Sequence, residues 1–154
     1  MNKIAFIFSI MIIFSLVSCG SGKDSTKQQV YSKDAVPPTA ALIEALIIDY
    51  DTTHKYEPGT ICAEHPCLAK IKISRIMAKG EAFEGEIYNG QTTSVQFPLT
   101  LSPTDEIEIQ SEFSNPGALP GSRIMAYIHT GEEYDRFTRP SPYYIYNYVL
   151  LNGE

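Results

Sequence analysis

The sequence lacks tryptophan and has only three cysteines, Cys19, Cys62 and Cys67. Its longest uncharged apolar run covers only the 14 residues from position 4 to position 17. A helix of that length is about 21 Å long, whereas the hydrocarbon core of a bilayer is about 30 Å thick. The run is too short for a lasting membrane span. Its place directly after Lys3 is instead typical of the core of a signal peptide.

Basic residues are also scarce, with 12 against 18 acidic residues and a formal net charge of −6. A chain that is cleaved before Cys19 loses Lys3 and carries a formal charge of −7. An acidic body without a basic stripe is not expected to bind nucleic acid. It would not adhere to anionic lipid by charge either.

The apolar run ends in Leu16-Val17-Ser18-Cys19, followed by Gly20. This resembles the lipobox of bacterial lipoproteins, in which a small residue precedes an invariant cysteine. The resemblance implies that residues 1–18 are a signal peptide and that the thiol of Cys19 receives a diacylglycerol, which would hold the chain on the outer membrane. Two or three acyl chains are enough for a lasting anchor, whereas one is marginal. The alternative is an ordinary secreted protein with an incidental cysteine.

Residues 19–38 form a polar stretch with few apolar side chains, and we expect a flexible tether after the lipidated cysteine. The remaining residues, 39–154, are predicted to form a single β domain. Apolar residues alternate with polar ones in most of its segments, and turn residues separate them. The segment 41–50 could be a strand or a short helix, and its β-branched residues favour a strand. The expected strands are 41–50, 70–75, 95–101, 105–113, 123–130 and 143–151.

Strands of this length with frequent turns predict an all-β fold, most simply a small Greek-key barrel. The order of the segments resembles the oligonucleotide/oligosaccharide-binding (OB) barrels, including the netrin-like variety. The alternative is an immunoglobulin-like β-sandwich.

Cys62 and Cys67 remain as a pair once Cys19 is acylated. In an exported protein such a pair favours a disulfide, which we expect here. Two thiolates together with His54 and His65 could instead bind zinc or copper, or the thiols could stay free.

The end of the chain is rich in tyrosine. In an extended strand Tyr144, Tyr146 and Tyr148 share one face. Tyrosine is common at interfaces because it combines a large apolar ring with a polar tip. These three residues are therefore predicted to contact a partner, although burial of this face in the core is the plainer alternative.

No Gly-x-Ser-x-Gly, His-Glu-x-x-His or phosphate-binding glycine-rich motif is present. The sequence thus predicts a non-catalytic binding or scaffolding lipoprotein without a cofactor, an accessory subunit of an outer-membrane complex with an envelope protein as partner. The alternative function is an envelope enzyme or metal carrier centred on Cys62 and Cys67.

The lipid anchor can be tested with Cys19→Ser. The variant lacks the thiol that accepts diacylglycerol, so we expect the protein to stay uncleaved or to become soluble and to incorporate no radiolabelled palmitate. Cys62→Ser is the matched control and should label like the wild type. Palmitate on the Cys19→Ser protein would refute the assignment.

Overall fold

The computed structural model describes residues 30–107, 115–131 and 141–151. The predicted signal peptide, Cys19 and the first part of the predicted tether lie outside these residues. Six strands are described, and the longest are β1 and β2. The strands are β1 Ala40–Tyr50, β2 Leu68–Lys79, β3 Thr92–Gln96, β4 Arg123–Thr130, β5 Tyr143–Tyr144 and β6 Tyr148–Leu150.

Helix is almost absent from this part of the chain. It is limited to the four-residue α1, Ile61–Glu64, and to two 3-10 turns, Lys33–Ala35 and Thr104–Glu106. No helix in the described ranges is long and apolar enough to cross a membrane.

The strands close into a five-stranded barrel of mixed direction. β1 pairs antiparallel with β2 at one edge and with β4 at the other. β3 pairs antiparallel with β2, and it pairs in parallel with β5 through Gln96 and Tyr144. β5 is antiparallel to β4, and β6 follows it along the same edge of β4. The predicted fold class, all-β with a small OB-like barrel, is confirmed, and the strands do not form a sandwich.

Large and small side chains that alternate along β1 and β4 fill the interior of the barrel. Branched Ile side chains and small Ala side chains take turns inside β1 and β4, so each large group faces space that a small one leaves free. Three register shifts between β1 and β2 bend the strands around this interior. The side chains that point inward from these two strands are all within 1% of complete burial: Ala41, Ile43, Ala45, Ile47, Ile124, Ala126 and Ile128.

Two predicted strands are corrected. The expected strand 95–101 ends at Gln96 because the chain turns there: Pro98 has no amide hydrogen and Thr100 has a φ of +75°. Phe97 and Leu101 are nevertheless buried, and this produced the alternating pattern. The expected strand 105–113 begins as the 3-10 turn Thr104–Glu106, and residues 108–113 lie outside the described residues.

Residues 30–38, the end of the predicted tether, contact the outer wall of the barrel through Tyr31 and Val36, whereas Val30 is 84% exposed. We call this segment the N-terminal strap. The ring of Tyr31 lies 5.0 Å from that of Tyr127 on β4, and the Tyr31 hydroxyl donates to Oδ1 of Asn147 at 3.0 Å. A small second core forms beneath the strap from Ala40, Leu42, Tyr127, Tyr31, Val36, Met77 and Met125.

The strap crosses the end of β2 at Gly80, where only glycine fits. A Cβ atom on Gly80 would lie 2.2 Å from the carbonyl oxygen of Pro37. The amide of Ala82 donates to the carbonyl of Pro38 at 2.9 Å, which fixes this contact. The sequence signals for docking are Tyr31 and Val36, two apolar side chains in a polar stretch.

Because the strap contacts the barrel through Tyr31, we expect Tyr31→Ala to lower the free energy of unfolding. It removes a tilted ring contact with Tyr127 and a side-chain hydrogen bond to Asn147, together worth about 2 kcal/mol. Tyr88→Ala is the control, because Tyr88 is 67% exposed and should change the free energy of unfolding by less than about 0.5 kcal/mol. Urea unfolding of both variants measures the difference. Equal stability of the two variants would show that the strap is not docked.

Candidate functional site

The last strand is interrupted between β5 and β6, and this interruption decides which tyrosines face outward. Tyr143 and Ile145 point into the barrel, whereas Tyr144 and Tyr146 point away from it. At the interruption the side-chain amide of Asn115 donates to the carbonyl of Tyr146 at 3.3 Å.

After the interruption the alternation changes phase, so that Asn147 and Tyr148 are both buried. The ring of Tyr148 lies edge-on to Phe97 at 5.9 Å, and its hydroxyl donates to the carbonyl of Leu101 at 3.2 Å. Burial raises the pKa of the Tyr148 phenol well above its usual range. The prediction that Tyr148 shares an outward face with Tyr144 and Tyr146 is therefore wrong, because Tyr148 is part of the core.

Tyr144 and Tyr146 meet His129 of β4 on the outer wall, and we call these three residues the aromatic patch. The Tyr144 and Tyr146 rings lie 5.2 Å apart, and each lies 5.7 Å from the His129 ring. Tyr146 is 46% exposed. Burial lowers the pKa of His129, so its imidazole is neutral at neutral pH. The patch therefore offers aromatic area and hydrogen-bonding groups without a formal charge.

The sequence did not point to His129 as a member of this patch. Its ring joins the tyrosines because β4 and β5 pair with His129 opposite Tyr144. Such a pairing depends on which strands become neighbours, and alternation within one strand does not reveal it.

A second candidate site lies in the connection between β1 and β2, residues 51–67. Cys62 and Cys67 are at disulfide distance there, with their sulfur atoms 2.06 Å apart. The connection forms a half-open pocket of about 580 Å³, a volume within the range usual for small-molecule sites. It is lined by Tyr50, Asp51, Thr52, His54, Lys55, Tyr56, Cys62, Ala63, Glu64, His65, Pro66 and Cys67.

The cysteine pair bears on the alternative chemistry of this connection. Thiolates are the form of cysteine that attacks a substrate or binds zinc, and a disulfide holds no thiolate. His54 lies in edge-on contact with Tyr56, at 4.6 Å between ring centres. No group of three or more histidine, cysteine or acidic side chains in the described ranges is arranged to hold a metal ion.

The chain matches no protein-family model, and comparison with curated proteins and with solved structures finds no significant match.

The free energy of unfolding of suitable variants should distinguish the buried Tyr148 from the outward-facing Tyr144 and Tyr146. Tyr148→Ala should lower the free energy of unfolding by about 3–5 kcal/mol, the usual cost of removing a buried aromatic ring. A combined Tyr144→Ala, Tyr146→Ala variant should lose less than half as much, because these rings lie on the outer wall. An equal loss in the two proteins would place the aromatic patch in the core and reject it as a surface.

Proposed function

We propose that this protein is a non-catalytic binding lipoprotein of the bacterial envelope, held on the outer membrane by lipid on Cys19. Its aromatic patch docks an envelope protein, so that the chain serves as an accessory subunit of an outer-membrane complex. The observation that carries this proposal is the contact of His129, Tyr144 and Tyr146 on the outside of a closed barrel.

The chemistry of the aromatic patch supports a protein as its partner. Protein interfaces are enriched in aromatic residues and depleted of charge at their centres. A patch of two phenols and a neutral imidazole meets both conditions. The chain has a net charge of −6, so an uncharged surface of this kind differs from its general character.

The position of the strap supports a partner close to the membrane. Tyr31 donates a hydrogen bond to Asn147, the residue after Tyr146. Eleven residues lead from Cys19 to Val30, and a chain of that length reaches at most about 40 Å when fully extended. A tether from a lipidated Cys19 would thus reach the outer wall of the barrel at Tyr31, beside the aromatic patch, and keep the patch near the membrane.

The test is site-specific cross-linking in living cells, with the native signal peptide and tether in place. A photoreactive phenylalanine analogue replaces Tyr146 in one protein and Tyr88, which is also exposed, in another. We expect a cross-link to a defined envelope protein from position 146 and none from position 88. The same partner should co-purify with the wild type, and at least about tenfold less with the Tyr144→Ala, Tyr146→Ala variant, about 1.4 kcal/mol.

Two results would contradict this proposal. One is co-purification that the double variant leaves unchanged while Tyr88→Ala reduces it. The other is cross-linking from both positions to the same set of abundant proteins, which would indicate random collision at the membrane.

A further inference from the structure

The pocket in the β1–β2 connection is held in shape by contacts on several sides. The amide of Asp51 donates to the carbonyl of Leu68 at 2.8 Å, which joins the end of β1 to the start of β2. The hydroxyl of Tyr50 donates to the carbonyl of Ala118 at 2.7 Å. On the far side, the disulfide ties α1 to the buried Cys67, whose carbonyl accepts from the amide of Phe97 at 2.7 Å. These contacts fix the base of the pocket at Tyr50, Asp51 and Cys67 before any ligand arrives, which reduces the entropy that binding costs.

Asp51 supplies a fixed anion to this pocket. Its carboxylate accepts hydrogen bonds from the hydroxyl of Thr53 and from the Thr53 amide, the latter at 3.0 Å. These bonds lower the pKa of Asp51, and the nearby Lys70 acts in the same direction. The carboxylate is thus ionised at neutral pH and can accept further hydrogen bonds.

Tyr56 supplies a buried hydroxyl group that lacks a hydrogen-bond partner among the described residues. Burial raises the pKa of Tyr56, and the negative charge of Asp51 raises it further. Both residues line the same pocket. A buried hydroxyl without a partner is unfavourable, and a ligand that accepts from it removes this penalty. Thr52, Thr53 and Lys55 are exposed, so this segment can shift to admit a ligand without disturbing the core.

The two groups together select the chemistry of a ligand. An ammonium group could donate to Asp51 but could not accept from Tyr56. A carboxylate or phosphate could accept from Tyr56, but the lining holds two acids, Asp51 and Glu64, against the single cation Lys55, so its charge disfavours an anion. An alcohol hydroxyl donates and accepts at once, so it can bridge the two. The rings of His54 and Tyr56 add aromatic surface for an apolar ring face.

We propose that the pocket in the β1–β2 connection is a binding site for a neutral, polyhydroxylated ligand, namely a saccharide unit, with a ligand hydroxyl bridging Asp51 and Tyr56. This site is separate from the aromatic patch, so it does not depend on the partner proposed above.

The test uses the mature chain made soluble by Cys19→Ser, with the Cys62–Cys67 disulfide intact and uniformly labelled with nitrogen-15. Neutral hexoses, N-acetylhexosamines and their disaccharides are titrated to about tenfold above a millimolar dissociation constant, which corresponds to weak binding. Hexuronic acids and hexosamines are the matched controls, because they differ from the neutral hexoses by one negative or one positive charge. We expect saturable amide shifts within residues 51–67 for at least one neutral saccharide, and at least tenfold weaker binding of the corresponding acid.

Substitutions then test the bridging hydroxyl. Tyr56→Phe and Asp51→Asn should each lower the affinity for the neutral saccharide by about five- to tenfold, the usual effect of one lost hydrogen bond. Tyr88→Phe should change nothing, and the amide spectrum itself shows that each variant is folded. The proposal is overturned if no neutral saccharide shifts these amides, if a charged sugar binds better, or if Tyr56→Phe binds as tightly as the wild type.

Discussion

Pairing of β1 on both of its edges is the constraint on which the rest of the structure depends. β1 bonds to β2 through residues 41–50 and to β4 through residues 40–46. Because β2 continues through β3 and β5 to the same β4, the pairing with β1 makes the sheet return on itself. Closure also removes the exposed backbone edges that would otherwise attract other chains. It is possible because small Ala side chains lie between the Ile side chains of β1, leaving room for the opposite wall. Larger residues at positions 41 or 45 would separate β1 from β4 and open the barrel.

The two candidate sites lie where this closed pairing ends. The β1–β2 connection begins at Asp51, directly after the last paired residue of β1, and the pocket occupies it. The aromatic patch lies where β4 passes from its pairing with β6 to its pairing with β5. In both places the barrel supplies a rigid base, and irregular chain carries the polar and aromatic groups. Interior positions have no such freedom, since nearly all of their side chains are needed to fill the barrel.

The sequence predicted what a single strand determines and missed what depends on neighbouring strands. Alternation in 123–130 gave β4, and the β-branched residues of 41–50 favoured the strand β1 with bounds accurate to one residue. The pair of cysteines that remains in an exported chain predicted the contact of Cys62 with Cys67. Alternation also gave Tyr144 and Tyr146 an outward face, but it failed at Tyr148, because an interruption of the strand shifts the phase by one residue. The docking of the strap was missed for another reason. Tyr31 and Val36 are too few apolar residues to predict a contact from the sequence alone, because their partners, such as Tyr127, lie on other strands.

Tyr31 connects the N-terminal strap with the aromatic patch. Its ring covers Tyr127 and its hydroxyl binds Asn147, so a single side chain holds the strap against both β4 and the interrupted last strand. Burial raises the pKa of the Tyr31 phenol well above its usual range, so the donor is protonated at neutral pH. Asn147 in turn follows Tyr146, whose carbonyl is held by Asn115. The strap and the aromatic patch are therefore joined through one short stretch of chain, in which Tyr31 holds Asn147 and Asn115 holds the carbonyl of Tyr146.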